Sequence, residues 1–104
     1  MFFLMHCRHH PGQDAVRDAL RPAHRDWVRS GGEGVVSVLT GSALWSDTGE
    51  TSGHWGILEA PTPDAARAFA EGDPFATGGI VAEITLTRLA DSFAADRISP
   101  RMTG

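Results

Sequence analysis

Residues 78–88 read GGIVAEITLTR. Ile80, Ala82, Ile84 and Leu86 alternate with Val81, Glu83, Thr85 and Thr87, the period-two pattern of a strand with one apolar and one more polar face. Just upstream, Thr62-Pro63 and Asp73-Pro74 each set a capping side chain before a proline suited to the first turn of a helix. TPDAARAFA at 62–70 then places Ala66, Phe69 and Ala70 on one apolar stripe. The second half of the chain therefore reads as a helix, a short helical turn closed by Gly78-Gly79, and a strand.

The first half supplies the remaining elements. Phe2 to Cys7 is a short apolar run stopped by HHPG, which suits a first strand. From Gln13 to Ser30, Val16, Leu20, His24, Trp27 and Val28 recur at helical spacing, and Gly31-Gly32 is a C-terminal cap signal. Proline is disfavoured inside a helix, so Pro22 predicts a short turn before Arg21 and a main helix from Pro22 onward. Val35 to Trp45 and Gly53 to Ala60 form two further strands around the polar SDTGETS loop.

The order is βαββαβ, the ferredoxin-like arrangement of an α+β domain. Right-handed crossovers put both helices on one face of a four-stranded antiparallel sheet. The other face is then open. It is expected to carry Val81, either Val35 and Leu39 or Val36 and Val38, and Trp45 or Trp55, which predicts a homodimer through that face. The domain spans residues 1–89, and 90–104 read as a tail with one helical turn at Asp91 to Ala95.

With 104 residues and 41% hydrophobic content, one core accounts for the chain. Nine Lys plus Arg against 13 Asp plus Glu, a net charge of −4, argue against nucleic acid as a partner. Cys7 is the single cysteine, so no internal disulfide forms and a reducing cytoplasm is the expected compartment. The opening MFFLM lacks a basic leader and is too short for a signal core, and no later run approaches a membrane span.

One residue breaks the helical stripe. His24 stands where the pattern calls for a leucine, and a histidine so placed is either a packing residue with one hydrogen bond or a tuned acid or base. Its candidate partner is Asp73. That carboxylate has two oxygens, so it can cap the turn at Pro74 with one and orient the imidazole with the other. Such a pair fixes the tautomer and stabilises the imidazolium, which suits proton transfer near neutral pH.

Other polar residues have ordinary roles beside functional ones. Arg21 is able to bind a substrate carboxylate, although an arginine at a helix start is commonly solvated. Ser42, Ser46 and His54 are placed to line a pocket mouth. HCRHH at 6–10 suggests metal binding, but strand alternation sends His6, Arg8 and His10 to one side and Cys7 and His9 to the other, too few on either side for a zinc site. No metal and no cofactor are expected.

R-P-A-H at 21–24, the glycine-led second strand with Leu39 and Gly41, A-R-A-F at 66–69, D-P-F at 73–75 and Gly78 together resemble the YCII-related (YciI-like) domain family across roughly Phe2 to Arg88. The resemblance implies a ferredoxin-like dimeric α+β barrel with a His-Asp active-site dyad beside a cleft, roles that fall on His24 and Asp73. It also implies proton shuttling on small cyclic molecules, as in a dehydrochlorinase of a chlorinated hydroxyquinol or in muconolactone isomerases. The chain departs from the family pattern in lacking the proline after strand four, in its long tail, and in Trp45 and His54 around the second hairpin.

Two functional readings follow. The first is a cofactor-independent lyase or isomerase of a small molecule, with His24 as general acid/base and Asp73 orienting it. The second is a noncatalytic small-ligand-binding or accessory protein whose dyad is only structural, in which His24→Leu folds as well as the native chain.

Overall fold

The computed structural model describes all 104 residues. The elements are β1 (Phe2–His9), α1 (Asp14–Gly34), β2 (Ser37–Trp45), β3 (Thr51–Glu59), α2 (Pro63–Gly72), α3 (Pro74–Thr77), β4 (Val81–Arg88) and a 3₁₀ turn at Ala95–Arg97. The four strands form one sheet in the order β2-β3-β1-β4. All three pairings are antiparallel, with Cys7 opposite His54 on one side and Ile84 on the other. This is the ferredoxin-like α+β fold that the βαββαβ order predicts.

Alternation sorts the sheet into two faces. Phe3, Met5 and Cys7 from β1, Val38 from β2 and Leu58 from β3 are buried together with Ala66, Phe69 and Ala70 of α2. Thr62 caps α2 by accepting the Ala65 amide at 3.1 Å, which starts the helix where the TP step predicts. Trp27 of α1 joins the two helices: its indole donates to the Phe69 carbonyl at 3.1 Å and its ring stacks on that of Phe69.

Several sequence-based expectations need correction. Pro22 does not begin the main helix but lies inside α1. Both Pro22 and Asp18, whose carbonyl loses its amide partner, are exposed, so the freed group faces solvent while Trp27 and Val28 pack the helix against the core. Val16 is 43% exposed, because the inward line of α1 passes through Arg17. At about 100 degrees per residue Arg17 falls midway between His24 and Val28, and Val16 lies about 80 degrees from His24.

The right-handed part of α1 ends before Gly31, Gly32 and Glu33, all at φ near 62–64°. A β-carbon on Gly31 would sit 1.9 Å from the Val36 carbonyl oxygen, so this left-handed turn requires glycine there.

Val81 belongs to the helix-covered face, not the open one. Arg8 pairs with Glu83 but His9 pairs with Val81, so Ala82 is the extra residue of a bulge that changes the parity of the strand's first residue. A second register shift, between Val38 and Thr40, leaves Val36 and Val38 in the core.

Residues 90–104 are bound to the domain. The Leu89 amide donates to the Phe2 carbonyl, and Phe93 packs on Phe2 at 5.5 Å between ring centroids. The helical turn falls at Ala95–Arg97 rather than at Asp91–Ala95. The chain then reaches the outer edge of β2, where the Met102 and Thr103 amides donate to the carbonyls of Leu39 and Val38. An edge strand covered in this way is not available to another chain. Arg101 reaches Glu59 at 2.7 Å and Ser37 at 3.0 Å.

The Thr103 hydroxyl fastens this crossing. It accepts the Val38 amide at 2.8 Å and donates to the Val28 carbonyl at 2.7 Å, tying the tail to both β2 and α1. Thr103→Val keeps the shape and strands both backbone groups, so unfolding in urea should show a loss of about 1–3 kcal/mol. An unchanged midpoint would mean that the tail is not held through this hydroxyl.

Candidate active site

The site forms where four elements meet at one end of the sheet. β1 continues past Cys7 to His9, because its pairing with β4 runs into the first histidine of HHPG. His9 therefore shares the helix-facing side with Cys7. On β3, His54 faces the same way, opposite Cys7, and lies diagonal to His9 at a spacing that long side chains bridge. His9 Nε2 and His54 Nδ1 are 2.7 Å apart.

α1 and α3 close over these two rings. His24 Nδ1 lies 2.9 Å from Asp73 Oδ1 and 2.8 Å from Oδ2. Oδ1 also accepts the Phe75 amide at 2.8 Å, so the carboxylate caps α3 and holds the imidazole at once. An ionised carboxylate only accepts, which puts the His24 proton on Nδ1 and leaves Nε2 as a lone pair. The His24 ring lies parallel to Phe75, 7° between planes and 4.0 Å between centroids, and this packing fixes its orientation.

A cavity of about 230 Å³ opens beside these groups. Met5, Val28, Val38, Phe69 and Phe75 give it apolar walls, and His24, His54 and Asp73 supply its polar end. A pocket of roughly 150 Å³ already admits benzene, so this one has room for a six-membered ring with substituents. A second, more open hollow of about 510 Å³ adjoins it and shares Arg21, Arg25 and Ala43 with it.

The sequence-predicted residues fall in different places. His24 and Asp73 touch. Arg21 lines both hollows while paired with Asp18 at 2.8 Å. Ser42 reaches the cleft, its hydroxyl donating to the Ala43 carbonyl at 2.8 Å. Ser46 is not at the pocket mouth: it accepts the Glu50 amide and contacts the Thr48 hydroxyl, which is hairpin geometry. His54 is also not at the mouth, being 7% exposed and beside Asp73.

Two residues were missed. His9 was visible in the alternation but was cut off by a strand end placed two residues early. Arg17 was hidden by its charge: its guanidinium reaches inward to the Thr51 hydroxyl, and its Nε is buried without a partner.

Burial governs the charges here. It pushes His54 down to about 4, an effect that the nearby Asp73 carboxylate only partly offsets. His9 is likewise lowered by burial and then by the Arg17 cation. Cys7 is pushed up to about 12, first by burial and then by the Asp73 charge, so its thiol stays protonated and unreactive.

Fold and cleft together define a ferredoxin-like α+β protein with a buried histidine-carboxylate pair at the polar end of a cleft. The chain belongs to the YCII-related domain family, whose profile matches residues 1–90. Among solved structures it is similar to 5-chloro-2-hydroxyhydroquinone dehydrochlorinase (TftG) from Burkholderia phenoliruptrix AC1100 in complex with 2,5-dihydroxybenzoquinone. The identity is 25% and the TM-score 0.74, over 86% of this chain and 94% of that one. A protein provisionally named an antibiotic biosynthesis monooxygenase, from Chloroflexus aurantiacus J-10-fl, is more distant, with 19% identity and a TM-score of 0.42 over 86% of this chain and 92% of that one. No curated protein matches the sequence. No helix is long and apolar enough to cross a membrane.

The lowered His54 makes stability depend on pH. Unfolded, it titrates near 6.5; folded, near 4. Between these values the unfolded chain binds the extra proton, so the contribution is complete above pH 6.5 and is lost as pH falls toward 4. From pH 7 to pH 5 the loss from His54 alone is roughly 2 kcal/mol. Urea unfolding at both pH values should show His54→Leu losing less stability than the native chain by about that amount; equal losses would refute the assignment.

Proposed function

We propose that the chain is a cofactor-independent lyase or isomerase of a small cyclic molecule, with His24 as the general acid/base and Asp73 as its orienting partner. The observation that carries this is the buried carboxylate on His24 Nδ1, which turns Nε2 into a free base beside a ring-sized cleft. In the reaction His24 Nε2 takes a proton from the substrate. The electron pair left behind moves through the ring and either expels a leaving group with its bonding pair or is reprotonated at another carbon by the same imidazolium. TftG, of the same fold at 25% identity, is named as a dehydrochlorinase and is bound to a dihydroxyquinone, which supports a hydroxylated six-membered ring as the substrate class.

The stability of His24→Leu does not separate this reading from a noncatalytic one. Asp73 is 1% exposed, so removing its imidazole strands a buried charge under either reading, at a cost of about 3–5 kcal/mol. Turnover separates them. Given chlorinated and unchlorinated hydroxyquinols, the native chain should release chloride or shift the ring absorbance. His24→Gln and Asp73→Asn should each lower the rate by about 100-fold or more while the circular dichroism of the fold is kept. Native rates in folded His24→Gln would sink the mechanism.

We further infer that the sheet face away from the helices pairs with a second copy. Leu4 is 37% exposed there, and strand parity puts Trp55 and Ile57 on the same face. The tail covers only the end at Phe2. Cytoplasm suits a chain whose single thiol is buried and unpaired. Light scattering at micromolar concentration should give the mass of a dimer, and Leu4→Glu should lower it to that of a monomer; a native monomer refutes the pairing.

A further inference from the structure

The base-orienter pair leaves two buried histidines unexplained. His9 and His54 bond to one another at 2.7 Å and are each 7% exposed. Beyond that bond His54 has one more ring nitrogen, Nε2, which is buried and has no hydrogen-bond partner. Its nearest anionic neighbour is Asp73 Oδ2 at 4.0 Å, too far for a hydrogen bond. A buried polar atom left this way costs about 1–3 kcal/mol unless something else satisfies it.

We propose that His54 donates a hydrogen bond from Nε2 to a keto or phenolate oxygen of the bound molecule, and that His9 sets the tautomer that makes this donation possible. The proposal rests on the acid/base reading of His24 and names a second group for the same substrate.

The tautomer follows from the neighbours. Two neutral imidazoles share one proton across the 2.7 Å contact, and the choice of donor fixes the far nitrogen of His54. If His54 Nδ1 carried the proton, Nε2 would point a lone pair at the Asp73 carboxylate, which is repulsive. If His9 Nε2 donates, His54 Nδ1 accepts and Nε2–H points toward that carboxylate, which is attractive. The same arrangement leaves His9 neutral with a lone pair on Nδ1, the state that the nearby Arg17 cation favours.

Neutrality follows from burial, which lowers both rings and takes His54 down to about 4. A neutral imidazole donates to an oxygen that gains negative charge without giving up its own proton, while a separate base takes the substrate's proton. The barrier falls without a second proton transfer. The rings of His24 and His54 meet edge-on at 5.3 Å between centroids, so a single ring can meet the base and the donor together. His54 lines the cleft beside His24, and the 4.0 Å gap to Asp73 Oδ2 leaves Nε2–H uncommitted to that carboxylate and able to meet a ligand oxygen.

The experiment uses the whole chain labelled with ¹⁵N at histidine, and 2,5-dihydroxybenzoquinone as the probe. Without the probe at pH 7, long-range proton-nitrogen correlations should show His54 neutral with hydrogen on Nε2; hydrogen on Nδ1 overturns the proposal with no variant needed. On titration the signals of both His24 and His54 should shift. A shift at His24 alone overturns this inference and leaves the acid/base reading standing, and no binding up to millimolar probe overturns both. His9→Leu removes the donor that sets the tautomer and should weaken probe binding by about tenfold, the equivalent of one hydrogen bond. His9→Gln keeps an N–H at that place and should restore it. Equal affinity in the two variants means that His9 only fills space.

Discussion

A carboxylate that is 1% exposed governs one whole end of this molecule. Burying such a charge is costly unless donors surround it, and the surrounding elements provide them. The Phe75 amide arrives because Asp73 caps α3, and the His24 N–H arrives because α1 lies across the sheet at that level. Phe75 then serves twice, its amide on the carboxylate and its ring flat against His24. Removing any one of these leaves the others without a reason for their position. The same charge reaches further, adding to the burial that pushes the Cys7 thiol up.

The parts legible in the sequence are those governed by local rules. The Thr62-Pro63 and Asp73-Pro74 steps are cap and first-turn signals that act within four residues, and both helices start where they predict. The Ala66-Phe69-Ala70 stripe is buried as its spacing requires. The pairing of His24 with Asp73 was accessible because each residue breaks its local pattern in a way that the other resolves: a polar side chain on an apolar stripe, and a capping carboxylate with a spare oxygen.

What was not legible depends on contacts between elements. Pro22 is tolerated within α1 because tertiary packing overrides a local penalty that falls on the solvent side. Val81 changes faces because of one extra residue, Ala82, that only the β1–β4 register reveals. Arg17 reads as a surface cation until β3 is in place with the Thr51 hydroxyl at its tip. The end of β1 was set by a turn signal, whereas its true end is set by how far β4 pairs with it, and the two residues gained place His9 against His54.

These departures gather at the site. The bulge beside His9, a further β2–β3 register shift at Leu44–Trp45 and the inward Arg17 all lie around the open hollow next to the cleft. Regular strands would alternate without interruption, and an ordinary amphipathic helix would carry an apolar residue, not Arg17, at that inward position. Consistency between local pattern and global fold is what makes a sequence foldable, and breaks in it concentrate where something other than folding is served. The core between Phe3, Leu58 and Phe69 follows every rule and explains only stability. The end of the sheet that violates them holds a buried charge, three histidines and a ring-sized cavity, which is why the chemistry is assigned there.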